Sequence, residues 1–291
     1  MTRAWRGEVA AARVLAVLVA AGIGACGGHA PPPVRPGTAP TADQLLRALG
    51  ARQAALRSMN ARARATSWVG GDRVRATVLM LADRTGRLRF EAEISLQGTV
   101  SILTTDDGRF QLFDLRNNQL QQGPACPANV ASLIRIPLLP AEVGAILLGD
   151  VSLPPSTAPA DATVAWDAAR GADVLIARSG ATGANGMTGA KGASETRVFF
   201  RPDSKVPEIV GASGSGPDGV IWRASYEDFT DAGGGLRLPS LIRFAERTGS
   251  FDDGVEIRFK DRTPNAELSP ESFRIEPPPG TKVVDVGCVS D

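Results

Sequence analysis

The chain has 291 residues, 43% hydrophobic and 22% charged, enough for one large domain or two small ones. Its 32 basic and 31 acidic side chains leave a formal net charge of +1, without the basic surplus that lets nucleic-acid binders neutralise phosphate. The one histidine, His29, lies in a Pro-rich stretch, which excludes Ser-His-Asp, Cys-His and multi-His metal chemistry.

The first predicted element is an address. Arg3, Arg6 and Arg13 form a basic region, and Val14–Ala25 then runs without a charge. That run is shorter than the about 20 apolar residues that span a bilayer, and it fits the apolar region of a secretory signal peptide. The junction Ile23-Gly24-Ala25-Cys26 resembles the bacterial lipobox. The resemblance implies cleavage before Cys26, thioether diacylation of its sulfur, and acylation of the new amine with a palmitate-type chain. Residues 1–25 are read as a lipoprotein signal peptide and Cys26 as the lipidation site; the plainer alternative is a signal peptide that happens to contain a cysteine. Two acyl chains hold a protein stably on a membrane where one does not. Gly27, rather than Asp, follows the cysteine, which by the enterobacterial sorting rule resembles an outer-membrane destination. The reading therefore places the protein in the cell envelope, at the outer membrane and facing the periplasm. Residues 26–40, rich in Pro and Gly, form an extended tether in which His29 is solvated.

With Cys26 lipidated, Cys126 and Cys288 remain, and an even pair in an exported chain suggests a disulfide. A metal or redox pair is the alternative, though there is neither a CxxC motif nor a nearby histidine.

Thr41-Ala42-Asp43-Gln44 has the pattern of a capping box, and Leu45, Leu46, Leu49, Leu56 and Met59 follow at helical spacing, predicting one amphipathic helix of about 18 residues. From residue 61 the period changes to two. Leu88-Arg89-Phe90-Glu91-Ala92-Glu93-Ile94 and Val255-Glu256-Ile257-Arg258-Phe259-Lys260 alternate strictly, so each strand has one buried and one wet face. Strands are predicted near 61–69, 73–82, 87–96, 99–105, 109–115 and 119–122, joined by short turns into a meander. Two short helices follow, Asn129–Ile136 and Pro140–Leu148; the second is apolar over most of its circumference and should be buried or cover something apolar. Strands resume near 162–169, 173–179, 195–201, 206–212, 219–229, 236–247 and 254–262. The Gly-rich run 180–192 reads as a flexible insertion, and Gly211–Gly219 and Gly233–Gly235 as hairpin loops. The acid pairs Asp106-Asp107 and Asp252-Asp253 flank glycines as turn residues do, and Glu227-Asp228 lies in a strand, so no catalytic pair emerges and the chain does not read as an enzyme.

Two segments carry a family resemblance. One is Leu268-Ser269-Pro270-Glu271-Ser272-Phe273-Arg274-Ile275-Glu276-Pro277-Pro278-Pro279-Gly280-Thr281-Lys282-Val283-Val284. The other is Arg87–Glu91 together with Thr105–Asp114. With the exported leader, the first helix and the long meander, they resemble the bacterial lipoprotein-sorting superfamily of LolA-like carriers and LolB-like receptors. The resemblance implies a mainly β fold with some α over residues 41–291: a large antiparallel sheet curled into an unclosed half-barrel, with an N-terminal helix and short helices over its concave face. It implies a cavity for acyl chains of a lipoprotein or another lipid, lined from the sheet by Leu88, Phe90, Ala92, Ile94, Trp222, Ile257 and Phe259. Val143, Ile146 and Leu147 would form its lid. It implies transfer by burial, with no cofactor and no metal, and a periplasmic carrier as partner. No counterpart of the receptor's protruding hydrophobic loop is read in the sequence. The alternative from another class is a non-catalytic structural or assembly lipoprotein that binds envelope proteins and whose apolar residues fill a closed core.

Overall fold

The computed structural model describes residues 33–69, 72–94, 96–153, 161–178, 195–202, 204, 206–217, 219–246, 251 and 254–288. The predicted signal peptide 1–25, Cys26, the tether up to residue 32, the Gly-rich run 180–192 and the Asp252-Asp253 pair lie outside these residues. Residues Arg35–Asp291 cluster as one compact unit.

The elements in chain order are α1 (Ala42–Ala55), β1 (Ser58–Val69), β2 (Asp72–Asp83), β3 (Leu88–Ile94), β4 (Gly98–Asp106), β5 (Arg109–Asp114) and β6 (Gln119–Pro124). Then come α2 (Pro127–Ile134), α3 (Pro140–Leu147), β7 (Ala162–Asp167), β8 (Ala172–Arg178), β9 (Glu195–Phe200), β10 (Ile209–Gly216) and β11 (Gly219–Asp231). The chain closes with β12 (Arg237–Glu246), β13 (Val255–Pro264), a 3-10 turn (Pro270–Phe273) and β14 (Lys282–Asp285). All fourteen strands join one sheet in the order β14-β6-β5-β4-β3-β2-β1-β13-β12-β11-β10-β9-β8-β7. Its edges, β14 and β7, do not pair with each other, so the sheet is open, as the half-barrel reading requires. One detail differs from an all-antiparallel sheet: β14 runs parallel to β6.

The capping box of α1 is present. The Thr41 amide donates to Gln44 Oε1 at 2.8 Å, and the Gln44 amide donates to Thr41 Oγ1 at 3.2 Å. The helix is shorter than predicted. Leu56 is its extended C-cap and Met59 belongs to β1, yet both are fully buried; they serve the core from the sheet rather than from a helix face. β10 runs on through Gly216, where a hairpin loop was expected. The glycines there make room for an aromatic: a Cβ on Gly214 would collide with the Trp222 indole across the β10–β11 ladder.

After β13 the chain crosses the outer face of β3–β5. Gln111 holds it like a strand, its Nε2 donating to the Ile275 carbonyl at 3.3 Å and its Oε1 accepting from the Ile275 amide at 2.9 Å. Ile275 packs on Phe113 and Leu120, and Phe273 is buried with the Arg87 guanidinium 5.1 Å from its ring centre. Pairing of β14 and the Cys126–Cys288 disulfide, with its Cα atoms 6.1 Å apart, fix the end of the tail. At the other terminus, Arg35 forms a two-point ion pair with Asp173 at 2.6 and 2.8 Å, so the last part of the predicted tether is tied to the start of β8.

Candidate functional site

Alternation along the strands sends one row of apolar side chains to the face that the helices cover. Leu88, Phe90, Val143, Ile146, Leu147, Trp222 and Ile257 fall in one buried cluster, with Phe259 packed against it. Ala92 and Ile94 continue the same row toward the end of β3, the first buried and the second half-buried. Leu88, Phe90, Trp222, Ile257 and Phe259 from the sheet and Val143, Ile146 and Leu147 from α3 are thus brought together with Leu45 and Leu49 of α1; Ala92 and Ile94 are not part of that cluster.

α3 is buried on nearly every side: Val143, Gly144, Ala145, Ile146 and Leu147 are all covered. Its glycine has a steric role. A Cβ on Gly144 would strike the Asp83 carbonyl at the end of β2 and lie 3.7 Å from Leu88 Cδ2. Glycine lets the helix backbone settle directly on the sheet.

A polar knot secures the far end of α3. The Tyr226 hydroxyl on β11 donates to the Asp150 carbonyl at 2.6 Å. The Asp150 carboxylate, fully buried, accepts from Arg84 Nη2 at 2.6 Å and from the Val151 amide at 2.8 Å. From α1, Arg52 donates to the carbonyls of Gly149 and Arg237, both at 3.2 Å. Three residues far apart in sequence thus tie α1, the β2–β3 turn and the β11–β12 hairpin to the residues after α3. Burial raises the Asp150 pKa, with Arg84 pulling it back. Burial lowers that of Arg52, with Asp150 opposing. Burial, then the charge of Asp150, raises the Tyr226 phenol, so it remains a donor.

Two clefts open near this knot. One, of about 330 Å³, lies between α1 and α3, lined by Leu46, Leu49, Gln53, Arg84, Ala145 and Leu153. The other, of about 390 Å³, follows the seam where β12 and β13 part beyond their four paired residues; Ser240, Phe259, Lys260 and Arg262 line it. Burial and the nearby Arg52 lower the Arg262 guanidinium to about 10. Among the described residues no three metal-ligating side chains gather. Glu227 and Asp228 are ion-paired with Arg243 at 2.5 Å and Arg258 at 2.8 Å.

Glu142, in the first turn of α3, accepts from the Leu139 amide at 3.0 Å. Its pKa is raised by burial, against the pull of that bond. A raised carboxyl favours the folded state fully below its ordinary value of 4.5, and this contribution is lost as pH rises through the folded-state pKa. Asp150 acts in the same direction. Glu142→Gln is therefore expected to raise stability at neutral pH and to reduce the fall in stability as pH rises above about 4.5. Urea unfolding at several pH values checks this, and a variant as pH-dependent as the parent contradicts it.

Leu96, in the β3–β4 turn, has φ of +68° and is fully exposed. Period-two alternation from Leu88 runs on through Leu96 and so suggests an inward side chain; the left-handed backbone turns it outward instead.

The open, mainly antiparallel sheet with helices on one apolar face is a fold that solved structures of distant sequence share. The chain is similar to an outer membrane lipoprotein-sorting protein domain from Vibrio parahaemolyticus (TM-score 0.53, 9% identity, 80% of this chain and 97% of that one). It is also similar to a LolA superfamily protein from Nitrosomonas europaea (TM-score 0.52, 10% identity, 81% and 99%). A DUF1329 family protein from Desulfovibrio piger matches to the same degree (TM-score 0.53, 11% identity, 81% and 98%). No family model and no curated protein matches the sequence.

Proposed function

We propose that this is a lipid-anchored envelope protein whose concave face accepts acyl chains, acting in lipoprotein sorting or insertion at the outer membrane. In this reading residues 1–25 are the signal peptide, Cys26 carries the lipid, residues 26–40 are the tether, and residues 41–291 form the binding domain. The observation that carries the reading is the placement of α3. A short helix, apolar but for Glu142 in its first turn, caps an apolar sheet face, is fastened at one end by the knot around Asp150, and borders an open cleft against α1. Displacing α3 would uncover Leu88, Phe90, Ile146 and Leu147, and each methylene of a chain entering there is worth about 0.8 kcal/mol. A periplasmic carrier would hand over the lipid.

A second reading has its own observation: Leu88, Val143 and Leu147 are fully buried among the chain's own side chains, as a closed structural core requires. It would make the protein a non-catalytic structural or assembly lipoprotein with envelope protein partners.

Gly144→Ala separates the two. The added methyl meets a backbone carbonyl that cannot swing aside, so overpacking of about 1–3 kcal/mol outweighs the about 1 kcal/mol gained in helix propensity. If α3 is a lid, the variant loses stability and takes up more of a fluorescent fatty-acyl probe than the parent. Stability lost without any gain in uptake would leave the structural reading standing.

A further inference from the structure

Antiparallel pairing brings the β1–β2, β3–β4, β5–β6 and β10–β11 hairpins to the same rim of the sheet. Exposed apolar side chains collect there: Val74, Leu115 and Val220 in addition to Leu96. The turns of the opposite rim carry Asp106, Asp107 and Asp231. The β1–β2 hairpin at the apolar rim also carries charge. On β1 and β2, Arg64, Trp68, Arg73 and Arg75 share the outer face, as their register partners show: Trp68 opposes Arg73, and Arg75 opposes Thr66. The Arg73 guanidinium lies 5.5 Å from the Trp68 ring centre. Arg64, Arg73 and Arg75 are all exposed, and among the described residues none forms an ion pair. Among the described residues, the acids beside them on the outer face are engaged elsewhere, Glu93 by Arg62 at 3.2 Å and Glu256 by Arg243 at 3.3 Å. Asp72 lies next to Arg73 but on the other face of the hairpin, as does Val74.

We propose that the β1–β2 hairpin is a docking element for an anionic bilayer surface, with Arg64, Arg73 and Arg75 on lipid phosphates and Trp68 and Val74 at the headgroup boundary. An apolar tip beside unpaired guanidiniums is the combination that a membrane interface satisfies, since it offers negative charge and hydrocarbon within a few ångströms. Arginine suits this role because its planar fork pairs with phosphate at two points and it is only weakly hydrated. The inference rests on the envelope placement of the proposed function but not on the acyl-chain cavity.

The test uses the chain from residue 27 onward, which holds the whole compact unit and lacks the lipid anchor. Its sedimentation with phosphatidylglycerol-containing vesicles should exceed that with pure phosphatidylcholine, and should fall steeply between low and high salt. The triple variant Arg64→Gln/Arg73→Gln/Arg75→Gln should weaken anionic-vesicle binding on the order of 100-fold, with unchanged thermal unfolding. Acyl-probe uptake in the same samples separates the two ideas: vesicle binding without uptake sinks the cavity and leaves the docking element. Equal binding to both vesicle types, or a triple variant that binds as the parent does, overturns the inference, and retention by an acidic protein in place of vesicles would reassign the hairpin to a protein partner.

Discussion

Replacing Cys126 and Cys288 together by serine is expected to lower stability by up to about 5 kcal/mol, the chain-entropy value for so long a closed loop. The bridge joins residues 162 apart. Other contacts hold the tail besides the bridge: β14 pairs with β6, and the Gln111 amide clamps Ile275. The loss therefore falls mainly on the unfolded state, which becomes freer. Cys126 is also the N-cap of α2, so the bridge couples the tail on one face to the helices on the other. Hydrogen exchange in the variant should rise first in β14, the terminal strand, and then in α2. Urea midpoints with an unchanged slope measure the loss; a change below about 1 kcal/mol would show that the pairing alone holds the tail.

The second large effect is expected at Asp150. Removing one partner of a fully buried ion pair costs about 3–5 kcal/mol because the other charge is stranded. The Arg84 side chain keeps 20% of its surface exposed and still donates to the Leu56 carbonyl, so the lower end applies. Asp150→Ala should lose about 3 kcal/mol, and at about 2–4 °C per kcal/mol its melting temperature should drop by about 6–12 °C. Arg52 adds to the loss, since Asp150 is the acid that offsets its burial. The double variant Asp150→Leu/Arg84→Met should recover much of the stability, because apolar replacement of both partners leaves no charge stranded. Melting curves of the single and double variants decide this; a single variant as stable as the parent would mean that the carboxylate does not fasten α3.

Local patterns were legible where one residue's neighbours along the chain settle its role. Alternation in Leu88–Ile94 and Val255–Lys260 marked the buried face, and the Thr41–Gln44 box marked the start of α1. The pairing of Cys126 with Cys288 followed from their being an even pair in a chain whose N-terminus reads as an export signal. What stayed hidden depends on partners distant in sequence. Arg52 meets Gly149 and Arg237, residues 97 and 185 positions away, and nothing near Arg52 in the chain announces either contact. Leu56 and Met59 continued a helical spacing by chance while the backbone had already turned to strand. Gly211–Gly216 looked like loop because small residues carry no pattern; the Trp222 ring that needs the space at Gly214 sits on the next strand.

On the proposed function, the folded chain holds an acyl chain between α3 and the sheet. The most direct measurement is titration of the chain from residue 27 with a fluorescent triacylated lipopeptide, in the absence of vesicles. Saturable uptake near one per chain, which quenches or shifts Trp222 and is raised by Gly144→Ala, is the predicted result. A natively folded protein that takes up no lipopeptide, as parent or as Gly144→Ala, would contradict it.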